Sequence, residues 1–160
     1  MKYYKTRNYK YCVYEDEHHS LNSLPLFIRE QLPIKHHYFQ IHQVGMKYVL
    51  TVRKGYRWDG SSGPIIDTKN TMTASLIHDA LAQALRNQLF GILHHDDGTA
   101  SSTHKMLVKW SDEEYWHALR KNGMSRFRAG YNYYGLRSLA AFGSPYASPK
   151  NAFKIKVEVA

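Results

Sequence analysis

His78 and Asp79, inside the apolar run Leu76-Ile77-His78-Asp79-Ala80, are the residues whose types most readily support chemistry. Just upstream lies Trp58-Asp59-Gly60-Ser61-Ser62-Gly63-Pro64, a Gly/Ser/Pro loop with one carboxylate. An imidazole is the side chain whose ordinary pKa suits a base or a metal ligand near neutral pH. A glycine-rich loop brings backbone carbonyls and amides close to a ligand. With Asp59 or Asp79 such a loop could ligate a hard divalent cation through oxygens, calcium first among them. Its amides could instead stabilise an oxyanion. Ser61 and Ser62 are nucleophiles only if a base lies within hydrogen-bond reach. The plain alternative is turn chemistry, with glycines for positive φ and Pro64 setting the exit.

A third carboxylate belongs with these two motifs. On a helix, Asp112 is flanked by Val108, Tyr115, Trp116 and Leu119 at i−4, i+3, i+4 and i+7. An ionised carboxylate on such an apolar face costs several kcal/mol unless it is paired. His78 would answer that need: Asp112 accepts a hydrogen bond from one ring nitrogen and leaves the other free as base or ligand. The alternative is a purely structural His-Asp pair between two helices. At about 100° per residue, His78 falls at the edge of the stripe Ala74, Ile77, Leu81 and Leu85 and should be partly buried. Asp79 should point away from that stripe, toward a surface covered by the loop.

The elements that must position these groups follow from periodicity. Residues 2–14 are weakly strand-like, and Glu15 to Ser23 reads as a polar loop. A short helix fits between Pro25 and Pro33. Tyr38–Val44 and Met46–Val52 alternate around Gly45 and predict a β-hairpin, with Phe39 and Ile41 on one face. A helix capped by Thr71 or Thr73 runs to about Leu89. A second runs from Ser101 or Ser102 to Asn122-Gly123, and a third from Ser125 to about Phe142. Phe153 to Val159 alternates as a closing strand. The expected fold is α+β in a single domain, 1–160. An antiparallel sheet from N-terminal strands, hairpin and C-terminal strand surrounds a central block of about three helices.

With 160 residues, 43% of them apolar, the chain can bury a substantial core. Its formal charge of +9 favours an anionic partner: nucleic acid, a membrane surface or an acidic polymer. The densest basic cluster is Arg120, Lys121, Arg126, Arg128 and Arg137, interleaved with Tyr131, Tyr133 and Tyr134. A single cysteine, Cys12, excludes an internal disulfide and a Cys-based zinc site. No signal-peptide pattern and no membrane-length apolar run is visible. The doublets His18-His19, His36-His37 and His94-His95, the last followed by Asp96-Asp97, are poor chelates, because neighbouring side chains diverge.

The succession Gly55-Tyr56-Arg57-Trp58-Asp59-Gly60-Ser61-Ser62-Gly63-Pro64, Asp67-Thr68, Ala74-Ser75-Leu76-Ile77-His78-Asp79-Ala80-Leu81 and Asp112 resembles a phage and prophage family, domain of unknown function 1353. The motif core spans about 55–143. The resemblance implies a phage origin, and so a place in the host cytoplasm or the virion. Where that family tends to carry an aromatic after its His-Asp-Ala-Leu tetrad, this chain has Ala82. The layout is also similar to secreted phospholipases A2. That likeness implies His78 as base, Asp79 as calcium ligand, Asp112 as orienting carboxylate and Gly60 to Gly63 as carbonyl loop, although the disulfides of those enzymes are absent.

Three functional expectations result. One is a hydrolase acting on an ester or amide bond of a lipid or cell-envelope substrate. Another is a non-catalytic virion or accessory protein that binds the phage particle, host or defence molecules. The third, less favoured, is a nucleic-acid binder using the basic and tyrosine-rich cluster.

Overall fold

The computed structural model describes residues 1–5, 11–61, 67–87, 89, 90 and 102–141, with 139–141 in backbone only. The closing strand expected at Phe153 to Val159, the His94 to Asp97 turn and the end of the last helix at Phe142 lie outside the described residues, as do Ser62, Gly63 and Pro64.

The fold is α+β, with the strands divided between two small antiparallel sheets. The first sheet holds β1 (Tyr3–Lys5), β2 (Tyr11–Val13) and β7 (Arg57–Trp58), in the order β1-β2-β7. The second holds β3 (Glu17–Ser20), β4 (Ile34–Lys35), β5 (Phe39–Val44) and β6 (Lys47–Val52), in the order β3-β6-β5-β4. β5 and β6 form the expected hairpin, with Phe39 opposite Val52 and Ile41 opposite Leu50, all four buried. Glu17–Ser20 is a strand rather than the polar loop its composition suggests. Its backbone pairs along β6, from Glu17 opposite Val52 to Ser20 opposite Val49. A strand at a sheet edge needs only one apolar face, so its own residues can stay polar.

Helix α1 (Leu26–Arg29) sits between the two prolines. The long helices are α2 (Lys69–Arg86), α3 (Ser102–Lys121) and α4 (Arg126–Ala141). The cap of α2 is Thr68, upstream of the Thr71 or Thr73 expected. The Thr68 amide donates to Thr71 Oγ1 at 2.8 Å, so Thr71 closes the first turn from inside the helix. α2 is buried on every side from Thr71 to Leu85, and Ala74, Ala80, Ala82 and Ala84 let its neighbours approach closely. No helix among the described residues is long and apolar enough to cross a membrane.

Two tethers fix the sheets to the helices. In the first sheet Tyr3, Tyr11 and Trp58 pack edge to face or tilted, with ring centroids 5.2–5.8 Å apart. Trp58 Nε1 then donates to Ser75 Oγ of α2 at 3.2 Å. Further on, the Asn22 and Ser23 amides both donate to the Glu114 carboxylate of α3 at 2.8 Å. Trp110 Nε1 donates to the Ser23 carbonyl beside it, at 3.2 Å. Glu114 is buried, which pushes its pKa up against the pull of those amide bonds.

Candidate functional site

The candidate site forms where α2, α3 and α4 meet. His78 is 6% exposed and Asp112 3%. Asp112 Oδ1 lies 3.0 Å from His78 Nε2, and its second oxygen accepts from Arg137 Nη1 of α4, also at 3.0 Å. Both acceptor oxygens of this apolar-face carboxylate are therefore used. His78 Nδ1 faces Asp79 Oδ1 across a longer 3.5 Å. The Tyr115 ring stands edge-on to the imidazole, with centroids 5.9 Å apart. Four groups of alternating sign thus run from α2 through α3 to the guanidinium of α4, which also lies 5.8 Å over the Tyr133 ring.

This arrangement differs from the geometry expected of an isolated amphipathic helix. Asp79 is buried rather than surface-exposed, and it meets its own neighbour His78 instead of turning away from it. The reason is that α2 has no solvent face, so every polar side chain along it must find a partner inside the protein. Burial by itself would push the His78 pKa down. The hydrogen bonds and charges of Asp112 and Asp79 outweigh burial and hold it up at about 9. At neutral pH the ring is an imidazolium that can donate from both nitrogens. Burial pushes the Asp79 carboxyl up, with His78 and Arg86 opposing and Asp59 adding to the rise.

The loop side of the site rests on a carboxylate that spacing did not single out. Asp67 accepts from the Tyr11 hydroxyl at 2.9 Å and from the Ser61 amide at 2.8 Å. Gly60 lies beneath it at φ +84°, and a Cβ there would stand 2.8 Å from Asp67 and 2.9 Å from Tyr11. Gly60→Ala combines left-handed strain with a clash. It is expected to lower the unfolding free energy by roughly 1–3 kcal/mol, read from urea denaturation.

Two buried hydroxyls, Ser61 Oγ and Tyr115 Oη, make no hydrogen bond of full geometry among the described residues, although Ser61 lies close enough to act on the phenol. Burial pushes the Tyr115 phenol up to about 12; Ser61 opposes that rise and the Asp79 and Asp67 charges add to it. The phenol is therefore a protonated donor held beside the loop at neutral pH. A poorly satisfied buried hydroxyl costs stability that its removal returns. Tyr115→Phe is accordingly expected to raise the unfolding free energy by about 1 kcal/mol, as a higher urea midpoint at unchanged slope.

The expected site residues thus separate into groups. His78, Asp79 and Asp112 come together. Trp58, Gly60 and Ser61 lie at the first sheet and loop, with Trp58 bonded to α2. Asp59 is exposed, yet close enough for its charge to act on Asp79. Among the described residues no three His, Cys, Asp or Glu side chains are placed to hold a metal ion, and Asp79 is directed at His78. Sequence reasoning had Arg137 in the basic cluster and Tyr115 as an apolar neighbour of Asp112. Both belong to the site, and Asp67 supports it. Tyr115 was readable at i+3 from Asp112, whereas the Asp67–Tyr11 pair spans 56 residues and carries no local signal. Comparison with family models, with curated proteins and with solved structures found no match for this chain.

Proposed function

We propose that this chain is a hydrolase in which Asp112 orients His78 through Nε2, leaving Nδ1 to take a proton from the attacking water. The observation that carries this reading is the asymmetry at the ring: a firm 3.0 Å bond to Asp112 on one side, and a loose 3.5 Å approach to Asp79 on the other. An orienting carboxylate fixes the tautomer and raises the basicity of the far nitrogen. The buried hydroxyls of Ser61 and Tyr115 support the same reading, as donors for a substrate oxygen on the loop side. The phospholipase-like layout favours an ester or amide bond of a lipid or cell-envelope substrate, and the likeness to domain of unknown function 1353 bears only on a phage origin.

Only the neutral ring can act as base. Because Asp112 and Asp79 hold the pKa at about 9, kcat/KM should climb with pH until about 9. Full-length protein assayed on aryl esters, phospholipids and peptidoglycan fragments should show this rise. His78→Gln should lose about a hundredfold or more of the rate. Asp112→Asn should move the rise to lower pH while lowering its ceiling. Wild-type protein inert on the whole panel, or an active His78→Gln, would count against the proposal.

One observation favours a second reading. A ring so nearly enclosed, with a carboxylate at each nitrogen, also suits a structural charge network in a non-catalytic phage accessory or virion protein. In that case His78→Gln alters stability while particle or host-molecule binding persists.

A further inference from the structure

From Tyr115 to Ala141 the chain has no Asp or Glu and five basic residues: Arg120, Lys121, Arg126, Arg128 and Arg137. Two of these are committed inward, Arg137 to Asp112 and Arg120 to the Met124 carbonyl. Arg126 and Arg128, at the start of α4, are exposed. The same helix turns Ala129, Asn132 and Leu136 into the core. On its opposite face Phe127 is 90% exposed, Tyr131 60% and Tyr134 69%. These three rings stand at i, i+4 and i+7, about one per helical turn. An aromatic ridge of this kind on the solvent side of a helix is unusual, because burying those rings would stabilise the protein.

Gly130 and Gly135 lie on either side of the ridge, and a Cβ at each would meet nothing within 4 Å. A glycine inside a helix costs about 1 kcal/mol relative to alanine. Among the described residues, nothing packed against these two positions explains that cost. What their bareness does provide is open space along the helix on either side of the exposed rings, of which Tyr134 stands edge to face with Tyr133.

We propose that the outer face of α4 binds single-stranded nucleic acid, with bases stacking on Phe127, Tyr131 and Tyr134 and phosphates held by Arg126 and Arg128. Stacking needs exposed flat rings, and the backbone needs cations nearby. On the adjoining helix Glu113, whose charge reaches Tyr133, is paired with Lys109. A membrane-surface helix would bury a broad apolar face, whereas the aliphatic side chains of α4 among the described residues, Ala129 and Leu136, already face the core. This surface is separate from the buried His78 site, and neither function depends on the other.

The test is fluorescence anisotropy of full-length protein with a labelled twenty-nucleotide oligo(dT), titrated across salt. Binding should weaken steeply as salt rises, and Arg126→Ser with Arg128→Ser should flatten that dependence. Each of Phe127→Ala, Tyr131→Ala and Tyr134→Ala should weaken binding roughly five- to hundredfold at an unchanged unfolding midpoint. His78→Gln should bind like wild type. The proposal is overturned by the absence of oligonucleotide binding, by a flat salt dependence, or by ring variants that bind as tightly as wild type. Capture of anionic phosphatidylglycerol vesicles without oligonucleotide binding would overturn it equally.

Discussion

Asp112→Ala should lower the unfolding free energy by about 3–5 kcal/mol, the effect of removing one member of a buried, hydrogen-bonded ion network. For a chain of this size that amounts to a fall in Tm of roughly 6–20 °C. The magnitude comes less from the lost bonds than from what remains. His78 keeps its burial and Asp79 but loses its 3.0 Å partner, and Arg137 is left over an apolar face. Asp112→Asn retains the shape and should cost less. Arg137→Ala, which leaves the His78 bond in place, should fall below both. Thermal and urea unfolding of the three variants ranks them directly. An Asp112→Ala protein within 1 kcal/mol of wild type would mean that the network is not a stabilising unit.

The second large effect is on pH. His78 has an ordinary imidazole pKa of 6.5 when unfolded and about 9 when folded. Below pH 6.5 both states hold the proton, and the pairing with Asp112 and Asp79 contributes in full. Between 6.5 and 9 the unfolded ring loses its proton first, so stability falls, and above 9 the contribution is gone. The loss is about 3 kcal/mol across that window. His19 acts on the acid side with the opposite trend. Burial first, then the N-terminal amine, Lys121 and His18, push its pKa down to about 4. Folding therefore weakens as pH drops from 6.5 toward 4. Stability should peak near pH 6.5, and His78→Gln should abolish the alkaline decline but leave the acid one. An alkaline decline of equal size in His78→Gln would assign it to another group.

Much of this arrangement is readable from single residues. Asp112 was legible because a charge surrounded by Val108, Tyr115, Trp116 and Leu119 demands a partner, and the preceding helix offered an imidazole. The hairpin was legible because Phe39 and Ile41 alternate with polar neighbours. The direction of Asp79 was not. A stripe drawn on an ideal helix assumes one wet face, and α2 has none. Glu17–Ser20 was equally opaque, since its strand character resides in the backbone of β6 rather than in its own side chains. Asp67 resembles any acid ahead of a helix until the N-terminal strand β2 pairs beside β7 and brings Tyr11 to it. These failures share a cause: each depends on a partner distant in sequence, where local pattern carries no information.

The Glu114 clamp also has a consequence for how the protein is made. Its two amide partners, Asn22 and Ser23, precede it by 92 and 91 residues. At ribosomal speeds of about 5–20 residues per second, they emerge roughly 5–20 s before the carboxylate that anchors them. During that interval the edge formed by β3 has its pairing groups made and its tether missing. The segment after β3 therefore waits for α3 to emerge before its two amides find their acceptor.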